Sequence, residues 1–141
     1  MINAASEEET IQAGRDLAPR LSGVVLLTGD LGAGKTTLVR GIVSAIEGAH
    51  PEEVGSPTFT LIHDYGAGVF HIDLYRLETL REIESLGLDE IFHHARLVLI
   101  EWGEKLGSRK PVPRMEIHIQ YAGQGRSIQV ENINATGNQT T

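Results

Sequence analysis

The chain contains no cysteine. Disulfides, thiolate metal sites and a cysteine nucleophile are excluded together. Cationic residues are scarce: 12 Lys and Arg stand against 19 Asp and Glu, for a net charge of -7. A protein that grips bare DNA or RNA with its own surface usually carries a basic patch. The acid excess argues against such autonomous binding and leaves open work on RNA through a protein partner. Long apolar runs are missing too, and none approaches the roughly 20 residues needed to span a bilayer. Met1 to Thr10 is polar and acidic, without the basic and apolar stretches of a secretory signal. These absences predict a cytoplasmic protein with no membrane contact. What remains is ordinary globular composition, 40% hydrophobic and 22% charged over 141 residues. That length suits one domain burying roughly two-thirds of its unfolded surface. We place it at residues 1–133, with 134–141 as a disordered tail poor in apolar residues.

Several elements can be read from pattern. Ser6-Glu7-Glu8-Glu9 is a capping box, and Ile11, Leu17, Ala18 and Leu21 can share a face of the helix it opens. Val24 to Thr28 is an apolar run of strand length, suited to burial on both faces. Thr36 to Ile46 has helical spacing, and Gly48 to Pro57 reads as a loop. Thr60 to Tyr65 and Val69 to Leu74 predict a hairpin about Gly66-Ala67-Gly68. Thr79 to Glu82 is a second capping box, and Asp89 to His94 a further short helix after Gly87. Leu97 to Ile100 is a second solidly apolar strand. Met115 to Tyr121 alternates as a half-buried strand and turns at Gln124-Gly125 into Ser127 to Ile133.

One motif carries chemistry. Gly29-Asp30-Leu31-Gly32-Ala33-Gly34-Lys35-Thr36 matches the phosphate loop G-x-x-x-x-G-K-S/T in full, with an apolar strand entering and a helix leaving. Glycines at Gly32 and Gly34, with the small Ala33 between them, let the backbone curl so that successive N–H groups face a phosphate. The helix N-terminus adds the positive end of its dipole. Lys35 supplies a point charge to the terminal phosphates, and the Thr36 hydroxyl suits magnesium. Such a loop works with an acid at the end of a neighbouring parallel strand. Glu101, ending Leu97-Val98-Leu99-Ile100, meets that demand, although aspartate is the usual residue there. Asp73, in His71-Ile72-Asp73-Leu74-Tyr75-Arg76, is the other strand-end carboxylate. It can orient a water or simply pair with Arg76. Ser56-Pro57-Thr58-Phe59-Thr60 stands where a switch loop would meet the terminal phosphate, or is a Pro-led turn. The six histidines show no metal-ligand spacing. Trp102 is either core packing or a neighbour of bound nucleotide. Arg126, beside a hairpin tip, is either solvated or folded over the site.

Taken in order, G-D-L-G-A-G-K-T-T at 29–37, S-P-T-F-T-L at 56–61, H-I-D-L-Y-R-L at 71–77, I-E-W at 100–102 and Gly125-Arg126 resemble the TsaE family. These are the small ATPases of the bacterial machinery that installs threonylcarbamoyladenosine in tRNA. The resemblance runs from about Ser6 to Ile133. It implies that Lys35 and Thr36 bind the phosphates and magnesium of ATP, and that Thr37 adds a contact. It implies that Glu101 is the second magnesium-site acid and that Asp73 serves hydrolysis by positioning water. Arg126, Glu7 and Thr10 would lie around the base and ribose. It further implies two protein partners, the threonylcarbamoyl-transfer subunit and its non-catalytic paralogue, with tRNA reached only through that complex. Trp102-Gly103-Glu104 departs from the Trp-Pro often found in the family. Two other classes compete. A small-molecule kinase would use the same loop but needs an acceptor pocket and a lid, for which residues 76–96 are short. A GTP switch needs N-K-x-D and D-x-x-G sequences, and neither is present. The fold these elements predict is three-layer α/β of the phosphate-loop NTPase kind, with a parallel sheet centre and antiparallel hairpin additions.

Overall fold

The computed structural model describes residues 1–30, 34–55, 61–134 and 136, with the backbone of 139 and 140. Gly32, Ala33 and the segment 56–60 lie outside the described residues, so the expectations placed on them are not addressed by it.

The strands are β1 (Ile2–Ala4), β2 (Gly23–Thr28), β3 (Ile62–Asp64), β4 (Val69–Asp73), β5 (Leu97–Glu101), β6 (Arg114–Ala122), β7 (Gly125–Ile133) and β8 (Gln139–Thr140). The helices are α1 (Glu7–Leu17), α2 (Lys35–Ser44), α3 (Leu80–Glu84) and α4 (Leu88–His94), and a 3₁₀ segment follows β5 at Gly103–Arg109. One mixed sheet runs β1-β7-β6-β2-β5-β4-β3, with β8 against β7. Pairings β6–β2, β2–β5 and β5–β4 are parallel, whereas β1–β7, β6–β7 and β3–β4 are antiparallel. The two hairpins are therefore not simple additions to a parallel core. Each lends one strand, β4 or β6, to the parallel centre and keeps its other strand outside.

Both central strands bury both faces because their side chains alternate. Val25 and Leu27 of β2 and Leu97 and Leu99 of β5 join the cluster under α1 and α2. Val24, Leu26, Val98 and Ile100 join the opposite cluster, with Ile83, Leu88 and Leu106 from α3, α4 and the 3₁₀ segment. Each such side chain contributes about 1.5–3 kcal/mol by leaving water. The layers are thus helix, sheet, helix.

Both N-caps form, with Ser6 Oγ accepting from Glu9 N–H and Thr79 Oγ1 from Glu82 N–H. The helices α1 and α2 cross on two glycines. A Cβ on Gly14 would stand 2.5 Å from the Leu38 carbonyl oxygen, and one on Gly41 2.2 Å from that of Ile11. The strand β1 is not signalled by the sequence pattern. It pairs with β7 and delivers the start of α1 to the neighbourhood of Arg126, the register partner of Ala4. No helix among the described residues is long and apolar enough to cross a membrane.

Candidate nucleotide site

The parallel strands β2, β4 and β5 all end at one edge, and α2 begins there. In-register pairing sets Asp73 beside Glu101, and Leu27 of β2 beside Glu101 on the other side. The two-residue period then places Val69, His71 and Asp73 of β4, with Leu97, Leu99 and Glu101 of β5, on the face toward α2. Lys35 is the first residue of α2. Strand parity and helix start thus bring a cation and two carboxylates to one place.

Lys35 and Glu101 are 8% and 9% exposed. Lys35 Nζ lies 3.8 Å from Glu101 Oε1 and 5.4 Å from the centre of the Trp102 ring. The other carboxylate oxygen, Oε2, accepts from His71 Nε2 at 2.7 Å, and His71 Nδ1 meets the Tyr65 hydroxyl at 2.9 Å. Burial works to raise the Glu101 pKa, but the His71 hydrogen bond and the attraction of His71 and Lys35 outweigh it, so the carboxyl is held below its ordinary range. The Tyr65 hydroxyl is pushed up to about 12 by burial and by the negative charges of Glu101 and Glu53.

Asp73 is half-buried and accepts the backbone N–H of Tyr75 through Oδ1 at 2.9 Å. Lys105 Nζ donates to the carbonyls of Tyr75 and Leu77, tying this exit from β4 to the 3₁₀ segment. Trp102 adopts a left-handed backbone (φ 62°) directly after Glu101 and packs 5.0 Å from the Tyr75 ring. A cleft of about 370 Å³ lies among these groups, lined by Gly34, Lys35, Thr36, Thr37, Asp73, Tyr75, Glu101 and Trp102.

An adjoining cleft of about 240 Å³ shares Gly34 and Thr37 and is otherwise lined by residues 4–7, Thr10 and 124–126. Here β1 and α1 bring Glu7 and Thr10 opposite Arg126 from the β7 side. Thr10 is buried and donates its hydroxyl to the Ser6 carbonyl. The Arg126 guanidinium covers the Tyr121 ring at 4.2 Å, and Arg40 reaches Glu7 at 4.0 Å. Residues far apart in sequence thus meet around the first turn of α2: Lys35, Thr36, Thr37, Asp73 and Glu101 in one cleft, Thr37, Glu7, Thr10 and Arg126 in the next.

The donor set fits a magnesium–nucleotide pair. A threonine hydroxyl and a carboxylate are hard oxygen ligands, which suit magnesium. Lys35 and the helix N-terminus would supply a positive field for phosphates. Sequence reading assigned no role to His71 or Tyr65. The alternation His71-Ile72-Asp73 was the available signal, because it sets His71 on the same face as Asp73.

A second cluster lies on the opposite face of the sheet. Ligand atoms of Glu116, His118 and Glu131 come within 4.8 Å of one another, which no sequence spacing announced because the pairing of β6 with β7 creates it. Arg114 Nε already occupies Glu116 Oε2 at 2.7 Å, and His118 Nε2 lies 3.3 Å from Glu131 Oε2. It reads as a cross-strand polar cluster held by Arg114 and His118.

Fold and site together define a class: an α/β protein whose parallel sheet centre presents a lysine, a threonine pair and strand-end carboxylates at the start of one helix. Comparison with known proteins narrows it. The family model for the threonylcarbamoyl adenosine biosynthesis protein TsaE matches residues 4–128, and the chain belongs to that family. The tRNA threonylcarbamoyladenosine biosynthesis protein TsaE of Haemophilus influenzae is 41% identical over 110 residues, covering 76% of this chain and 68% of its own. The protein of the same name from a Nostoc species is 38% identical over 142 residues, covering 94% and 85%. The crystal structure of Bacillus subtilis YdiB superposes with a TM-score of 0.73 at 29% identity, over 96% of this chain and 86% of that one.

Proposed function

We propose that this protein binds ATP with magnesium and hydrolyses it as an accessory to threonylcarbamoyladenosine formation on tRNA, within a phosphate-loop NTPase fold. The observation that carries the reading is the buried Lys35–Glu101 pair, 3.8 Å apart at the mouth of a cleft that also holds Thr36 and Asp73. Lys35 neutralises the terminal phosphates. Thr36 and Glu101 would hold the magnesium, which would supply neutralisation of the charge that develops on the phosphate oxygens. Asp73, partly fixed by the Tyr75 N–H, orients the attacking water and accepts its proton. Thr37 adds a phosphate-loop contact, and Thr10, Glu7 and Arg126 surround the nucleoside end. Family membership and the acidic net charge of -7 favour action through protein partners over direct contact with tRNA. We infer those partners to be the threonylcarbamoyl-transfer subunit and its non-catalytic paralogue, in the cytoplasm.

The test follows the γ-phosphate of labelled ATP, with the protein alone and with those partners and tRNA. Free phosphate, released faster with partners, supports the reading. Label on a small metabolite makes the protein a kinase and sinks it.

A further inference from the structure

The cleft side of Glu101 faces Lys35, and the reaction above uses it. The buried side is equally organised, and the reaction does not use it. Glu101 Oε2 accepts from His71 Nε2 at 2.7 Å, and His71 Nδ1 is engaged by the Tyr65 hydroxyl at 2.9 Å. His71 is 7% exposed and Tyr65 2%. Tyr65 is itself fixed by its backbone, which donates to Val69 and accepts from His50. Among the described residues no buried side-chain nitrogen or oxygen is left without a partner.

A lone carboxylate rotates about its last bond. One oxygen tied to an imidazole whose other nitrogen is also tied cannot. Apolar residues would fill the space between Val69 and Leu99 without the desolvation cost of an imidazole and a phenol. An ionised carboxylate offers only acceptors, so Nε2 must be the donor in this bond. We propose that His71, backed by Tyr65, is a positioning residue that locks Glu101 with Oε1 presented to the cleft and thereby sets the site's affinity for the divalent cation that accompanies the nucleotide. The inference rests on the nucleotide reading above and adds residues it does not use.

Trp102 is the sole tryptophan and lines the cleft, so its fluorescence can report binding of ADP to the full chain. ADP is titrated without magnesium, then magnesium is titrated at fixed ADP, for wild type, His71→Ala, His71→Gln and Tyr65→Phe. Loss of a partner that orients a metal ligand typically weakens metal binding about 10–100-fold. His71→Ala should raise the magnesium half-saturation by about that factor while magnesium-free ADP affinity stays within about twofold. His71→Gln keeps an amide N–H near the place of Nε2 and should recover most of the loss. Tyr65→Phe should fall between.

A wild-type magnesium half-saturation in His71→Ala overturns the proposal. So does a His71→Gln protein as impaired as His71→Ala, which would make His71 a packing residue. Should His71→Ala not fold, Tyr65→Phe carries the test, and an unchanged cation response in it is equally fatal. Wild-type protein that binds no ADP removes the nucleotide reading and this inference together. Magnesium-dependent binding that His71 variants leave intact removes this inference alone.

Discussion

Lys35 has very little water around it, and its neighbours suit a cation there. Glu101 lies 3.8 Å away and the Trp102 ring face 5.4 Å away. A buried charge needs such compensation, and a triphosphate would supply more. Lys35→Ala should weaken nucleotide binding about ten- to a hundredfold, the equivalent of losing about 1.5–3 kcal/mol of charge-assisted bonding. Isothermal titration with ATP checks this, and unchanged affinity would remove the lysine from the site. Asp73→Asn should leave affinity within about twofold and lower turnover by about 10²–10⁴-fold, the range for losing a general base. Single-turnover phosphate release tests it. Glu101 has a pH signature. Its folded-state pKa is lowered, so its stabilising contribution is present above the ordinary carboxylate range and lost as pH falls through the lowered value. Urea unfolding between about pH 6 and pH 3 should therefore show a shallower acid decline for Glu101→Gln than for wild type. Parallel declines would contradict the pairing with His71 and Lys35.

At the scale of elements, the helix pair α1 and α2 holds both clefts together. Its close crossing depends on Gly14 and Gly41, where a methyl group would overlap backbone oxygens. Gly41→Ala should destabilise by about 1–3 kcal/mol through overpacking, although alanine is the better helix former. Thermal unfolding decides: a rise in Tm would mean the helices can separate without penalty. The helices were legible in sequence where local chemistry announces them, at the Ser6 and Thr79 N-caps and at Gly34 before Lys35. The strand β1 was not, because three residues carry no period and owe their conformation to pairing with β7. The 3₁₀ segment after Trp102 was likewise invisible. Its place is set by Lys105 reaching across to Tyr75 and Leu77, a contact 28 to 30 residues away in sequence.

At the scale of the whole molecule, charge and topology set what can approach. With a net charge of -7, the isolated protein should show no measurable tRNA binding at about 150 mM salt. A gel-shift titration checks this, and tight salt-resistant binding would refute action through partners. The sequence by itself determined the local half of this protein: the left-handed Gly34 that opens α2, the lysine and threonines after it, and the apolar strands that end in Asp73 and Glu101. Those depend on backbone freedom and two-residue alternation, which act over a few positions. Tertiary structure alone decided the rest. It chose the order β1-β7-β6-β2-β5-β4-β3, made β4 and β6 parallel members of the centre, and carried Glu7, Thr10 and Arg126 to one cleft. It also stacked Tyr65 behind His71 and His71 behind Glu101. Such neighbours arise from hydrogen bonding and burial between strands distant in sequence, and no local pattern encodes which strand a given edge will meet.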